Sequence, residues 1–251
     1  MPSPDVTAKD SIQQRKDTYT DVEIKAQADK TLSELQLGKI AIVFTPTSSE
    51  MLWKGVNSMT ENLQKLDYEI VVVVKKGILL ESDYTELAIF PKVKYIEVPK
   101  IDIFAQKNIG RQLINPEVKY ILFLDTLSYI DSDEINFTEK FVKARLAPLF
   151  LEPICAVVGE LPEQTLSEDI EKEIIDSLSK KVTFNREVYE ENCLTKDGRI
   201  RFAEANSMAV KSDIWDMFGG FNINDQYPGI EYCIRLQLLG YNIILQQLDG
   251  R

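Results

Sequence analysis

The chain has 251 residues, of which 44% are hydrophobic and 27% charged, and a formal net charge of −11. This composition is typical of a globular protein of one or two domains, and the negative charge argues against a nucleic-acid partner, because phosphate backbones are bound by clustered Lys and Arg. The chain contains no histidine, which excludes Ser-His-Asp and Cys-His catalysis and leaves acid–base chemistry to carboxylates, Lys, Tyr or Cys.

The first half of the chain predicts an α/β fold. Residues 1–38 are polar, with apolar residues at roughly helical spacing, and predict an N-terminal helical extension that stops near Gly38. From residue 39 onward, apolar β-branched runs alternate with amphipathic segments. This alternation indicates a mainly parallel central sheet flanked by helices. Strands are predicted at 40–45, 69–74, 94–98 and 119–125, and helices near 50–66 and 104–114.

The predicted sheet also locates a binding edge. In open parallel sheets, ligands bind beyond the carboxyl ends of the strands. Thr45 and Pro46 come at the end of the first strand, Lys75 follows the second, and Asp125 ends the fourth. We therefore expect these residues along one edge of the sheet. Lys75 can meet a phosphate there, although a lysine after a strand is also typical of a solvent-facing surface.

The second half of the chain is less regular. A helix is predicted near 133–147, a strand at 153–161, an acidic helix at 168–180 and a loop over 182–200. Residues 201–210 predict one bent or two short strands, and Ser212 predicts the cap of a short helix. A further helix near 229–239 stops at Gly240, and residues 241–247 predict a closing strand.

Cellular context follows from the cysteines and from hydropathy. Cys155, Cys193 and Cys233 are far apart and odd in number, which favours reduced, buried thiols over a disulfide framework or a structural zinc site. No stretch approaches the ~20 apolar residues of a membrane helix, and the start of the chain lacks the pattern of a signal peptide. We therefore predict a cytoplasmic protein without a transmembrane segment.

Three segments resemble GT-A-fold glycosyltransferases of family two. IGRQLINPEVKYILFLDTLSYID (109–131) resembles the helix and apolar strand that lead into the family's acidic metal-binding turn. ANSMAVKSDIWDMFGGFNINDQYPGIEYCIRLQLLGYNI (205–243) resembles its acceptor region, with a strand, a Gly-Gly-Phe turn, an acidic loop and a helix ending in Gly-Tyr. IVFTPTSSE, which contains Thr45 and Pro46, lies where the family has its first nucleotide-binding turn.

The resemblance implies a GT-A-like domain over 39–251, with a nucleotide-binding half at 39–130 and an acceptor-binding half at 131–251 that carries a smaller sheet. Such enzymes transfer a sugar, here of hexosyl type, from a nucleotide-diphosphate sugar to a hydroxyl of a glycan, lipid-linked or protein acceptor, with inversion. Mg²⁺ or Mn²⁺ neutralises the diphosphate, and a carboxylate accepts the hydroxyl proton. Because the family often has a metal-ligand His beyond the last strand, we expect further domains of a longer chain.

The metal turn departs from the family pattern. The family usually has Asp-x-Asp, whereas this strand ends in Asp125-Thr126-Leu127, so Asp125 is the predicted metal ligand. One carboxylate can hold Mg²⁺ when waters and phosphates complete its octahedron. Lys107 stands where the family often has an Arg that opens the helix before the acidic strand. We predict that Lys107 and its neighbour Arg111 face the diphosphate, where a lysine acts as a point charge.

The acceptor helix departs from the pattern as well. The family has Glu-Asp followed two residues later by a third acid; here Pro228-Gly229 replaces the pair and Glu231 stands at the third acid. Glu231 is the predicted general base, and Asp225 is next if the shortened loop folds toward the site. The alternative role of Glu231 is an ion pair with Arg235 one turn along its helix.

The aromatic residues of the acceptor region also allow two interpretations. Trp215, Phe218 and Phe221 either shape an acceptor platform or belong to the core, which is where aromatic residues at helical spacing are more often found. Tyr227 lies in a predicted loop and is a candidate acceptor contact.

Three functions can be weighed from the sequence. The first is an active glycosyltransferase, favoured by the retained Asp125 and Glu231; the alternative is a catalytically inactive GT-A-like binding or scaffolding domain, favoured by the missing acids. Nucleotidyl transfer is a third, since related α/β folds carry it, but a glycine-rich phosphate loop with Lys or Arg is missing near the first strand. Sugar transfer depends on Asp125 lying at the rim of a cleft that faces the helix carrying Glu231.

Overall fold

The described part of the chain belongs almost entirely to one of two units. The chain divides into residues 1–36 and residues 37–251. The predicted helical extension lies almost wholly outside the described residues, and the boundary predicted near residue 130 within the larger unit stays a prediction. The computed structural model describes residues 32, 34–125, 138–160, 162, 166–179, 186–194 and 200–246.

The described residues of the larger unit form one seven-stranded sheet. Its order is β3-β2-β1-β4-β6-β5-β7, and β6 runs antiparallel to both of its neighbours while the other pairs are parallel. The predicted mainly parallel sheet is confirmed, and the strands expected in a smaller acceptor-side sheet extend this sheet instead. The strands are β1 (Ile40–Thr45), β2 (Tyr68–Lys75), β3 (Val93–Val98), β4 (Tyr120–Asp125), β5 (Cys155–Glu160), β6 (Glu204–Lys211) and β7 (Asn242–Gln246).

Helices flank this sheet. The helix Ile103–Leu113 packs on β1 and β2, the helix Glu139–Leu151 on β5 and β6, and the helix Pro228–Leu238 on β6 and β7. None of the helices in the described residues is both long and apolar enough to cross a membrane. In chain order they are α1 (Ser49–Asn62), α2 (Glu81–Leu87), α3 (Ile103–Leu113), α4 (Glu139–Leu151), α5 (Glu168–Ser179), α6 (Arg186–Cys193), α7 (Ser212–Phe218) and α8 (Pro228–Leu238).

Close packing between α3 and the sheet depends on Gly110. The strands β1, β2 and β4 are buried along nearly their whole length, as continuous Val, Ile and Leu runs predict for strands covered on both faces. A Cβ atom at Gly110 would overlap a methyl group of Val43 and approach a methyl group of Val73 to 3.1 Å. The missing side chain therefore lets α3, which carries Lys107, lie directly on β1 and β2.

Several predicted elements need correction. The segment 182–200, predicted as a loop, contains α6. The helix predicted near 133–147 begins at Glu139, because the Thr138 hydroxyl caps it by accepting a hydrogen bond from the Phe141 N–H at 3.2 Å. Ser212 does not cap α7: Lys211 holds the cap position, and no described residue bonds to the Ser212 hydroxyl. The sequence pattern also misses α2.

The aromatic residues of the acceptor region belong to the core. Trp215 and Phe221 are 4% and 3% exposed, which leaves too little surface for an acceptor platform. Their ring centroids lie 5.0 Å apart, and Trp215 also packs against Phe123 on β4 at 4.9 Å. Phe218 is partly buried against Tyr241 at 5.5 Å. The core interpretation of these residues is therefore the one that the structure supports.

Candidate functional site

Asp125 and Thr45 meet at the carboxyl edge of the sheet. Each is the last residue of its strand, and the parallel pairing of β1 with β4 places them side by side. The Thr45 hydroxyl donates a hydrogen bond to Oδ1 of Asp125 at 2.8 Å. One oxygen of the carboxylate is thus oriented by the neighbouring strand, as expected where parallel strands end together.

The second oxygen of Asp125 binds a buried lysine. Lys107 on α3 has no exposed surface, and its ammonium donates to Oδ2 of Asp125 at 2.9 Å and to the carbonyl oxygen of Ala205 at 2.5 Å. Burial lowers the pKa of Lys107, and the negative charge of Asp125 opposes that shift. Removing one partner of such a buried pair typically costs about 3–5 kcal/mol of folding stability. The fold therefore strongly favours keeping Lys107 and Asp125 together.

A cleft of about 370 Å³ opens beside this pair. That volume lies in the range of roughly 300–1,000 Å³ found for small-molecule sites. Its walls come from the start of α3, the end of β4, the segment that leads into β6, and the start of α8. The lining residues are Ile103, Phe104, Lys107, Asp125, Phe202, Ala203, Glu204, Ala205, Asn206, Gln226, Tyr227, Pro228, Gly229 and Ile230.

The amino terminus of α8 forms one wall of the cleft. Tyr227 occupies its cap position without a side-chain hydrogen bond to the helix, and Pro228 begins the helix. The next residues, Gly229 and Ile230, also line the cleft. Because the backbone N–H groups of a first helical turn lack partners within the helix, such an end favours anions. A helix end of this kind can stabilise a phosphate group or a developing oxyanion.

Two polar side chains that the sequence analysis did not single out face this cleft. Glu204 and Asn206 lie two residues apart on β6 and therefore share a face of the strand. The Asn206 amide donates to Oε2 of Glu204 at 3.1 Å, and within the described residues its own Oδ1 is buried without a partner. The signal in the sequence is the pair of polar residues at alternate positions that precedes the apolar run Met208-Ala209-Val210.

Asn108 is a third residue that the sequence analysis did not assign. Its amide donates to the carbonyl oxygen of Phe221 at 2.8 Å, and its Oδ1 accepts from the N–H of Phe221 at 3.0 Å. Asn108 follows Lys107 on α3, whereas Phe221 follows the turn Gly219-Gly220. The two hydrogen bonds therefore join the motif around Lys107 to the Gly-Gly-Phe turn.

Glu231 lies outside the lining of the cleft. Its carboxylate is 5% exposed and receives two hydrogen bonds from Arg235, Nε to Oε1 at 2.8 Å and Nη2 to Oε2 at 3.2 Å. Arg235 also donates to the carbonyl oxygens of Phe218 and Gly220, and so closes the end of α7. The first turn of α8 reaches the cleft, but the Glu231 carboxylate is paired with Arg235, which is the alternative role that the sequence allows. Its role as a general base stays a prediction.

The remaining predicted donor-side and acceptor-side residues do not line the cleft. Asp225 accepts hydrogen bonds from the Tyr227 N–H at 3.0 Å and the Ser177 hydroxyl at 3.2 Å. Arg111 pairs with Asp216 through Nε at 3.0 Å. Lys75 ends β2 with its side chain partly buried, and Pro46 is buried just after β1. Of the residues predicted at the sheet edge, Thr45 and Asp125 are joined by a hydrogen bond, and Lys107, which was predicted separately, reaches Asp125 from α3.

The contacts of Asp125 do not fit a divalent cation. Both carboxylate oxygens are engaged, and no group of three or more acidic or thiol side chains suited to a metal occurs in the described residues, which exclude Asp131 and Asp133. A Mg²⁺ bound to Oδ2 at about 2.1 Å would lie within about 5 Å of the Lys107 ammonium. At an effective dielectric constant of about 20, their repulsion would be about 7 kcal/mol.

Solved structures place this fold among known proteins, whereas no protein-family model and no curated protein sequence matches the chain. A mannosyltransferase from Pyrobaculum calidifontis, in complex with GDP-Man and Mn²⁺, has a TM-score of 0.53 at 12% identity. The match covers 90% of this chain and 61% of that one. Glucosyl-3-phosphoglycerate synthase from Mycobacterium tuberculosis, in complex with UDP, has a TM-score of 0.50 at 14% identity over 93% of this chain and 77% of that one.

These likenesses establish the fold of the chain. The chain has a divergent GT-A-like glycosyltransferase fold, with the mainly parallel sheet and flanking helices expected from the resemblance. Identities of 12% and 14% carry no assignment of individual residues. The chemistry of the site therefore has to be argued from its own side chains.

Proposed function

We propose that the chain is a glycosyltransferase domain that binds a nucleotide-diphosphate sugar in the cleft beside Asp125 and transfers the sugar to an acceptor hydroxyl. The observation that carries this proposal is the position of the cleft at the carboxyl edge of a GT-A-like sheet, between the end of β4 and the first turn of α8. The mannosyltransferase and the synthase with this fold were solved with GDP-Man and with UDP. A nucleotide-sugar donor is consistent with both.

Groups along the cleft supply the contacts that the donor requires. The first turn of α8 offers the N–H groups of Gly229 and Ile230 to an anionic diphosphate. Asn206 orients the Glu204 carboxylate through the hydrogen bond that its amide donates. The sequence-based assignment of Thr45, Pro46, Lys75 and Arg111 to donor binding stays a proposal; Thr45 contributes through its hydrogen bond to Asp125.

For proton transfer we propose Glu204 as the general base. It lines the cleft and lies next to Ala205, whose carbonyl oxygen binds Lys107. In the reaction, Glu204 takes the proton of the acceptor hydroxyl while that oxygen forms a bond to the anomeric carbon. The bond from this carbon to the diphosphate oxygen breaks, and the nucleoside diphosphate leaves. A single displacement of this kind inverts the anomeric configuration. Glu231 could act as the base only after its two contacts with Arg235 are broken.

The acceptor and the cellular context are also part of the proposal. A glycan, a lipid-linked molecule or a protein can supply the hydroxyl, and the chain spans 61% of the mannosyltransferase that it resembles, so activity with an acceptor can require further domains. The three cysteines of the chain are free and buried, which suits the reducing cytoplasm.

A panel of nucleotide sugars tests this function directly. In calorimetry with UDP- and GDP-sugars, we expect at least one of them to bind and then to be transferred or slowly hydrolysed. Glu204→Gln should leave binding within about threefold of wild type and lower turnover by about 100-fold or more, as removal of a general base does. The matched control is Glu117→Gln, because Glu117 is exposed before β4, at the opposite edge of the sheet. No binding of any nucleotide sugar would refute the proposal.

The second candidate is a GT-A-like binding or scaffolding domain without turnover. One observation favours it: the two acids predicted as metal ligand and base, Asp125 and Glu231, are both neutralised by basic side chains, Lys107 and Arg235. Nucleotide binding with no transfer and no hydrolysis, unchanged by Glu204→Gln, would support this candidate.

A further inference from the structure

Lys107 occupies the place beside Asp125 where the GT-A resemblance implies a cation. Its ammonium lies 2.9 Å from a carboxylate oxygen and 2.5 Å from the Ala205 carbonyl oxygen. Both partners are oxygen atoms, which are the ligands that Mg²⁺ and Mn²⁺ prefer in proteins. The position therefore has the donor atoms of a hard-cation site, and a lysine fills it from within the chain.

We infer that the Lys107 ammonium replaces the divalent cation in this cleft, so that Asp125 binds neither Mg²⁺ nor Mn²⁺ and the cleft binds its ligand without metal. The part that concerns the ligand rests on the proposed function; the exclusion of metal does not. Asp125 is then the counter-ion of Lys107 and not a metal ligand.

The lysine cannot leave this position at low cost. Lys107 is fully buried in the middle of α3, and the close contact at Gly110 holds this helix on β1 and β2. A cation that took Asp125 away would leave a buried ammonium without its counter-charge and close to a divalent ion. Asp125 is also held from its other side by Thr45. Both effects act against entry of a metal.

The ion pair also changes the charge that a ligand meets. A carboxylate with a divalent cation has a net charge of +1, whereas Asp125 with Lys107 has a net charge of zero. The attraction for a diphosphate then depends on the uncapped first turn of α8, where Gly229 and Ile230 line the cleft. We therefore expect affinity for nucleoside diphosphates that is independent of Mg²⁺.

Binding of Mn²⁺ alone tests the exclusion of metal. We would titrate Mn²⁺ into the full chain and follow the free ion by electron paramagnetic resonance. Wild type and Asp125→Asn should agree in Mn²⁺ affinity within twofold, as should the surface control Asp216→Asn. If Asp125→Asn weakens Mn²⁺ binding by tenfold or more while Asp216→Asn does not, the inference is overturned. This comparison needs no nucleotide and no lysine variant.

Removing the lysine should create the metal site. Lys107→Met leaves the two oxygen partners and removes the charge, so we expect Mn²⁺ to bind at least tenfold more tightly than to wild type. Adding Asp125→Asn to this variant should abolish the gain. Lys54→Met, which removes an exposed lysine on α1, should leave Mn²⁺ binding unchanged. If Lys107→Met does not fold, the wild-type comparison still decides.

A nucleotide titration separates this inference from the proposed function. Wild type should bind UDP or GDP with the same affinity, within twofold, in EDTA and in excess Mg²⁺. A tenfold gain with Mg²⁺ that is lost in Asp125→Asn would overturn the inference and leave the proposed function intact. Failure to bind any nucleotide in either buffer would refute the proposed function, while the Mn²⁺ titration would still decide the exclusion of metal.

Discussion

The two hydrogen bonds between Asn108 and Phe221 are expected to stabilise the link between α3 and the Gly-Gly-Phe turn. The side chain of Asn108 satisfies both the N–H and the carbonyl oxygen of Phe221, a residue that is 3% exposed. In Asn108→Ala both backbone groups lose their partner. Since each unsatisfied buried group costs about 1–3 kcal/mol, the two groups together cost about 2–6 kcal/mol. Ala gains about 0.5 kcal/mol as a better helix former, so we expect a net loss of about 1.5–5.5 kcal/mol.

Thermal unfolding measures this loss. For a domain of this size, about 1 kcal/mol corresponds to roughly 2–4 °C, so the midpoint of Asn108→Ala should fall by roughly 3–22 °C. Asn57→Ala is the matched control, because Asn57 is exposed within α1 and the substitution makes the same change in helix propensity. Asn108→Asp keeps the shape but opposes the Phe221 carbonyl oxygen with a carboxylate, so it should also destabilise. A midpoint for Asn108→Ala equal to that of Asn57→Ala would refute the reasoning.

Two further predictions concern the core. Gly110→Ala should lower the free energy of unfolding, measured by urea denaturation, by about 1–3 kcal/mol, because its methyl group would overlap Val43. Helix propensity alone would instead raise this free energy, and such an increase would contradict the close contact. Burial raises the pKa of the three thiols of Cys155, Cys193 and Cys233 to about 12. Because the thiolate is the reactive form, none should react with a disulfide reagent at pH 8 in the native protein, and all three should react after unfolding; rapid native labelling would refute their burial.

The early strands show how far the sequence pattern reaches. Runs of Val, Ile and Leu that end at Thr45 and Asp125 predict parallel strands with a common carboxyl edge, and the pairing of Thr45 with Asp125 confirms that geometry. The pattern works here because strands buried on both faces need apolar residues at every position. It fails at α6, which lies in a polar segment, because a short helix there depends on tertiary packing more than on its own periodicity.

The candidate site was harder to predict, because distant residues compose it. The sequence proposes Lys107 and Asp125 separately, as a phosphate contact and a metal ligand, and carries no sign that they pair. Residue types alone also leave Glu231 open between a base and a partner of Arg235. The contacts of the folded chain favour the pair with Arg235, and Glu204, not Glu231, lines the cleft.

The sequence alone determines the class of fold and the chemical types available, since apolar periodicity sets the strands and the lack of histidine restricts acid–base groups to a few residue types. Tertiary structure decides which charges meet, because Lys107, Asp125 and Ala205 come from α3, β4 and β6 and have no fixed relation along the chain. A carboxylate acts as a metal ligand, a counter-ion or a base according to the partners within about 3 Å, and only the folded chain supplies those partners.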